Sequence, residues 1–259
     1  MEGKNMPDGP KQPYEGRRLI LFMDTDGLPG LAYSITERET GSKPYLSGAE
    51  ILEAKTGNYG FRLSTAHQNQ ARLAGANQEF GLHTAMSGFT LHRPRGEPAH
   101  FLVGGNGQQT DQILTNLFFG DGLAHTQRAW SYESDEDNST ARISALLQYV
   151  QGRVMRAELG IIRRLSDKAP DKRVWSIILE KGCAHAISTY SGINVPSDVR
   201  IPPFEGEPVQ SRIESTELGD LLVEFEGTMG HEDFRVALAV AKFDPSLGKF
   251  DYRIKNHRR

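Results

Sequence analysis

The chain of 259 residues predicts an α+β fold, an antiparallel sheet packed against a few helices. Three observations carry this expectation. Strand-like apolar runs occur towards both ends of the chain, one long segment between residues 143 and 165 has helical spacing, and 27 glycines with 13 prolines make a turn-rich chain rather than a helix bundle. The length admits one large domain or two small ones. The boundaries read as a disordered tail over 1–16, a core over 17–199 and a strand-rich extension over 200–259, which can belong to the same domain.

The tail, MEGKNMPDGPKQPYEG, is polar and lacks an apolar core segment. Residues 18–23 form a short apolar run closed by Asp24-Thr25-Asp26-Gly27, and Leu31–Ile35 follows, so the pattern predicts strand, turn, strand. Further strand material is expected over 44–63 around a Gly57-Asn58-Tyr59-Gly60 turn. Residues 64–80 lack an apolar stripe and read as a loop or a short exposed helix. Phe89–Leu91 and Phe101–Val103 predict strands, the second ended by Gly104-Gly105-Asn106-Gly107, and Ile113–Phe119 predicts a short helix.

The acidic stretch 133–137 leads into the clearest helical pattern, with Ile143, Leu146, Leu147, Val150, Val154, Ile161, Ile162 and Leu165 at helical spacing. A strand is expected over 174–179, then a Gly182 turn and a short helix opening at Cys183, capped by Gly192 and stopped by Pro196. Strand-like runs at Leu221–Phe225 and Val236–Phe243 complete the chain.

Lys and Arg number 30 against 33 Asp and Glu, a net charge of -3, so no basic footprint for nucleic acid is present. A single cysteine excludes an internal disulfide and any zinc site built on several thiolates. No run reaches the roughly 20 apolar residues of a membrane-spanning helix. A cytoplasmic protein is expected, or one exported without a Sec-type signal. No cofactor or metal site is expected.

Cys183 is the strongest chemical handle. A thiol at a helix start meets unpaired N–H groups that favour the thiolate and can stabilise an oxyanion. The alternative is a small buried hydrophobe. A thiolate also needs a base. Of the eight histidines, His185 lies two residues along the expected helix and points away, whereas His100 opens a short strand from which its ring can project.

His100 in AHFLVGGNG followed much later by Cys183 in KGCAHAISTYSGINVP resembles the circularly permuted papain-like cysteine hydrolases, the group of NlpC-type amidases and lecithin:retinol acyltransferase-like enzymes. Gly182 stands where asparagine is frequent in that group. A second registration places the family's first strand at GLPGLAYSITERETG, where Leu31 occupies the histidine position. The resemblance implies a permuted papain-like core and attack of Cys183 on an amide or ester carbonyl, with His100 as base. It also implies a peptidoglycan peptide or lipid acyl ester as substrate, and the chain would suit an antibacterial effector delivered by a contact-dependent machine. The competing expectation is a non-catalytic binding or assembly protein with a buried, unreactive cysteine.

Asp24-Thr25-Asp26-Gly27 is similar to the nucleophile motif of haloacid dehalogenase-like phosphatases, but the repeated strand–helix units that fold needs are absent, and a hairpin turn is the simpler reading. Gly104-Gly105-Asn106-Gly107 lacks the lysine of a phosphate loop. His231-Glu232 lacks the second histidine of a zinc-protease helix.

Overall fold

Strands buried on both faces dominate this chain. The computed structural model describes residues 13–36, 49–54, 60–67, 83–92, 96–133, 139–165, 169–193, 201–230 and 232–257. In chain order the elements are β1 (Pro13–Tyr14), β2 (Arg17–Met23), β3 (Pro29–Thr36), β4 (Ala49–Ala54), β5 (Gly60–His67), β6 (Thr84–Leu91), β7 (Ala99–Gly105), α1 (Gln109–Leu117) and α2 (Leu123–Gln127). There follow β8 (Arg142–Val150), β9 (Arg153–Arg164), β10 (Pro170–Ser176), β11 (Cys183–Ser188), β12 (Gly192–Ile193), β13 (Val209–Arg212), α3 (Leu218–Thr228), β14 (Arg235–Asp244) and β15 (Lys249–Asn256).

They form two large antiparallel sheets. One has seven strands in the order β10-β9-β8-β7-β6-β5-β4, a plain meander, and the other has six in the order β13-β11-β2-β3-β14-β15. β1 pairs with β12 beside them. The sheets stack face to face over a core that includes Leu19, Leu31 and Tyr33 from the six-stranded sheet and Leu102, Leu147 and Leu159 from the seven-stranded one. The outer face of the six-stranded sheet packs Phe22, Ala184 and Leu238 under Leu221 and Phe225 of α3. The outer face of the seven-stranded sheet packs Phe101, Val103 and Leu146 under Ile113 and Leu117 of α1 and Leu123 of α2. The layers therefore run helix, sheet, sheet, helix. An amphipathic strand can cover only one core, so these strands carry apolar residues at both parities.

That double burial explains where the sequence pattern misled. The helix expected over 143–165 is the β8–β9 hairpin. Ile143, Ala145 and Leu147 face the inter-sheet core while Leu146 and Val150 face the helical layer, and the two sets together mimic a period of 3.6. The chain reverses at Gln151-Gly152, both in the left-handed region (φ 51 and 74), the geometry of a tight two-residue hairpin turn. The short helix expected at Cys183 is likewise a strand, β11, paired with β2 on one side and β13 on the other. Gly182 does make the expected turn, with φ 70. Leu221–Phe225, expected as a strand, lies within α3. The expected papain-like core of one sheet and a few helices is thus corrected to a mostly antiparallel double sheet with short helices outside.

Other expectations match. Asp24-Thr25-Asp26-Gly27 makes the β2–β3 turn, with Gly27 N–H donating to the Asp24 carbonyl at 3.0 Å. The buried Asp24 carboxylate is paired, accepting from Leu28 N–H at 2.7 Å and from Lys242 at 2.9 Å, as a desolvated charge must be. The helix near Ile113 and the strands at Phe89 and Phe101 are α1, β6 and β7. β10 occupies the start of the strand expected over 174–179. Residues 64–67 belong to β5, while 68–82, the acidic residues 134–138 and most of the expected 57–60 turn lie outside the described residues. Residues 13–14 of the expected tail form β1, and β13, β14 and β15 of the C-terminal segment share the sheet of β2 and β3. Asn256 joins the sheets along one side: Ile51 N–H donates to its Oδ1 at 2.9 Å and its Nδ2 donates to Ile51 O at 3.1 Å.

The hairpin assignment has a direct test. Gln151 is exposed and asparagine tolerates positive φ better than glutamine, so Gln151→Asn should raise the urea midpoint, through a gain in unfolding free energy of a few tenths to about 1 kcal/mol. A continuous helix across this position would instead be weakened by the change.

Candidate functional site

Cys183 and His100 stand on different sheets. Cys183, 8% exposed, begins β11 opposite Met23 of β2. His100, also 8% exposed, lies on β7 with Nδ1 3.0 Å from Thr90 Oγ1 and its ring 4.9 Å from that of Phe243 on β14. β2 and β3 separate β11 from β14 in the sheet order, so the structure does not bring the two side chains together. Because alternate residues of a strand share a face, Cys183 and His185 point the same way, the reverse of the helical expectation.

A different group of polar residues converges at the end of the sandwich where β7 finishes and β8 begins. A Cβ on Gly104 would sit 2.9 Å from Cδ2 of both Leu19 and Leu31 across the sheet gap, so glycine there lets the two sheets approach without displacing those side chains. Next, the buried Asn106 side chain bridges two strands: Nδ2 donates to Ala141 O at 2.8 Å and Oδ1 accepts from Ile143 N–H at 2.7 Å. Gln109, at the start of α1, donates to Ile143 O at 3.2 Å and accepts from Arg142 Nη1 at 3.0 Å. A Cβ on Gly107 would press on Arg142, Gln109 and Glu133 together.

Arg142 is the hub of this cluster. It donates to Glu133 at 2.8 Å and to Ser131 O at 2.8 Å, and its guanidinium lies 5.0 Å from the centre of the Trp130 ring. Thr140 Oγ1 meets the Tyr190 hydroxyl at 2.7 Å. Buried Arg163 pairs with Asp171 at 2.9 Å and donates to Phe204 O, which ties the connector before β13 to the seven-stranded sheet.

From the other sheet come Arg17 and Tyr33. Both share the face of Leu19 and Leu31, so they point between the sheets. Tyr33 is 0% exposed, and among the described residues its hydroxyl has no hydrogen-bond partner. The Arg17 guanidinium beside it acts on its ionisation both by charge and by a hydrogen-bonding contact, without closing a well-formed bond. Burial pushes the phenol up to about 12; Arg17 opposes the shift and Glu133 adds to it. Tyr33 is therefore a neutral proton donor at physiological pH. Two cations, a carboxylate, a neutral phenol and amide groups suit a polar, anionic ligand rather than a metal, and no metal-binding group of three or more acidic, histidine or cysteine side chains occurs among the described residues.

Residues 96–222 of the chain, just under half its length, match the family model described as IMP cyclohydrolase-like protein. The matched span contains Asn106, Gln109, Glu133, Arg142 and Tyr190. No match is found among curated proteins or among solved structures. The family match overturns the resemblance to papain-like NlpC and lecithin:retinol acyltransferase-like enzymes. The expected hydrolysis of an amide or acyl bond by a Cys183 thiolate, and the effector role attached to it, fall with that resemblance. No helix among the described residues is long and apolar enough to cross a membrane.

Arg17, Tyr33, Glu133 and Arg142 were not singled out from the sequence. They match no short motif; Glu133 was noted only within the acidic stretch 133–137, and the glycines of 104–107 read as a turn.

The histidines give a pH dependence. His100 is held below the ordinary value of 6.5 by burial and then by repulsion from His92; burial also lowers His185 and His257, opposed in part by Glu180 and Glu226 respectively. Depressed histidines bind fewer protons folded than unfolded, so their neutral forms support stability above pH about 6.5, and that support is lost as pH falls below it. Urea midpoints should accordingly drop between pH 7 and 5.5. His100→Gln should show a shallower drop than wild type.

Proposed function

We propose that this protein binds a purine nucleoside monophosphate at the sandwich end lined by Arg17, Tyr33, Glu133 and Arg142, and opens or closes the six-membered ring of that nucleotide. The observation that carries the reading is the IMP cyclohydrolase-like match over residues 96–222, which includes the Asn106–Gln109 turn and both Glu133 and Arg142. The residue types at this end suit the chemistry of such a reaction.

Inosine monophosphate opens by addition of water at the ring carbon between its two pyrimidine nitrogens, giving a formamido and a carboxamide group on the imidazole. Closure is the reverse: the carboxamide nitrogen attacks the formyl carbon, a C–N bond forms, and the formyl oxygen leaves as water after two protons reach it. The requirements are orientation of two neighbouring substituents, a base for the carboxamide nitrogen and a donor for the developing oxyanion. In this reading Glu133 takes the proton from nitrogen, Tyr33 donates to oxygen, and Arg142, fixed by Gln109 and stacked on Trp130, holds Glu133 in place.

Purified protein mixed with the formamido-imidazole-carboxamide ribonucleotide should form inosine monophosphate, followed by its ultraviolet absorbance and by chromatography. Glu133→Gln should slow turnover by about 10²-fold or more while inosine monophosphate still binds. Neither turnover nor binding of either nucleotide at millimolar concentration would sink the proposal.

A further inference from the structure

We infer that the outer side of α1, with the two phenylalanines that follow it, is the surface on which a second copy of this chain docks across a two-fold axis. The inference stands apart from the nucleotide reading and concerns the opposite side of α1 from the candidate site.

α1 rests on the seven-stranded sheet through Ile113 and Leu117. Its other side carries Gln112 and Thr115, both exposed, and Asn116, half-buried. At its end Phe118 and Phe119 are 65% and 80% exposed, an adjacent pair where the other large apolar side chains exposed among the described residues stand singly. Single exposed apolar residues are ordinary; a contiguous pair of aromatic rings marks a contact surface. The backbone that presents them is fixed. The N–H groups of Phe118, Phe119 and Gly120 donate to the carbonyls of Thr115, Asn116 and Leu117 at 3.2, 3.0 and 3.0 Å, and Gly120 ends the helix in the left-handed region, with φ 86. The Phe118 ring continues a stack that begins in the core: the centroids of Phe101 and Phe89 are 5.2 Å apart, and those of Phe89 and Phe118 are 6.0 Å apart. A ring held in this way loses little freedom when a partner covers it.

The chemistry of the surface selects the partner. No charged residue occurs from Gln112 to Gly120. The carboxylates that flank this stretch are engaged: Asp111 accepts from Arg62 and from Thr84 at 2.6 Å each, and Asp121 lies 3.7 Å from His125. An acidic or a basic partner therefore finds no free charge along it. Amides and hydroxyls both donate and accept, and aromatic rings pack on one another. Gln112, Thr115, Asn116, Phe118 and Phe119 thus form a surface complementary to itself, as a two-fold interface requires, because the same residues meet from both sides. Area agrees with a reversible dimer. A phenylalanine buries roughly 200 Å², so the exposed parts of these two rings amount to about 300 Å² per copy and about 600 Å² in a pair. That is about half of the ~1,200 Å² at the lower end for stable interfaces, with the polar side chains of α1 to supply the remainder.

Sedimentation equilibrium of the full chain, from micromolar to sub-millimolar concentration, tests this. Wild type should pass from the 28.8 kDa single chain to a dimer as concentration rises. Phe119→Ser should weaken that step about 10-fold or more and leave the thermal unfolding of the dilute single chain unchanged. Thr115→Lys and Thr115→Glu, at the middle of the surface, should each fail to self-associate yet associate with one another when mixed, since like charges face across the axis in the first case and opposite charges in the second. A wild type that stays a single chain throughout overturns the inference, as does a dimer that none of these substitutions weakens. Weakening by Phe119→Ser without cross-association of the two Thr115 variants overturns the two-fold arrangement. A single chain that floats with phosphatidylcholine–phosphatidylserine vesicles in a Phe119-dependent way assigns the surface to a membrane instead and overturns it too. No nucleotide enters the measurement, so its failure leaves the nucleotide reading standing.

Discussion

The structure depends on burying both faces of two antiparallel sheets. Stacking the sheets covers one face of each, and α1, α2 and α3 must then cover the others. The helices can be short because they are lids over an existing sheet rather than independent folding units, and helices of five to eleven residues gain their stability from that apolar contact. The meander of β4 to β10 keeps most strand neighbours local in sequence, so the long-range cost falls on the six-stranded sheet, where β14 must find β3 and β11 must find β2.

Polar chemistry collects where this sandwich ends. Along the strands most inward positions are apolar, with His100 on β7 an exception, and near Leu19, Gly104 and Ile143 several charged and hydrogen-bonding side chains enter the space between the sheets. Most of those at this end are satisfied by one another: Asn106 substitutes for strand pairing at the end of β7, and Gln109, Arg142 and Glu133 form a continuous set of bonds from α1 to the segment before β8. The Tyr33 hydroxyl is the departure from that economy at this end. A buried polar group without a well-formed bond beside satisfied neighbours is what a site built for a ligand looks like.

The same double burial governs how far the sequence could be read. The β2–β3 hairpin was legible because Asp24-Thr25-Asp26-Gly27 is strong turn chemistry between two continuous apolar runs. α1 was legible because it carries a single apolar stripe. The β8–β9 hairpin was not, since apolar residues at both parities imitate a helix and Gln151-Gly152 is a weak turn signal without asparagine or aspartate. β11 failed for a related reason: the glycine turn was read correctly, but Ala184 and Ala186 facing one core and Ile187 facing the other do not alternate with polar residues. The reading of Cys183 as a helix-opening thiol failed with it.

From the residues alone came the single cysteine, which cannot form an internal disulfide, the near-balanced net charge and the positions of the strongest turns, because composition and local backbone preference act without tertiary context. The pairing of the sheets, and the meeting of Arg17 and Tyr33 with Glu133 and Arg142, came only from the tertiary structure. Register and stacking bring together side chains more than a hundred residues apart, and nothing in the local sequence around any one of them records the others.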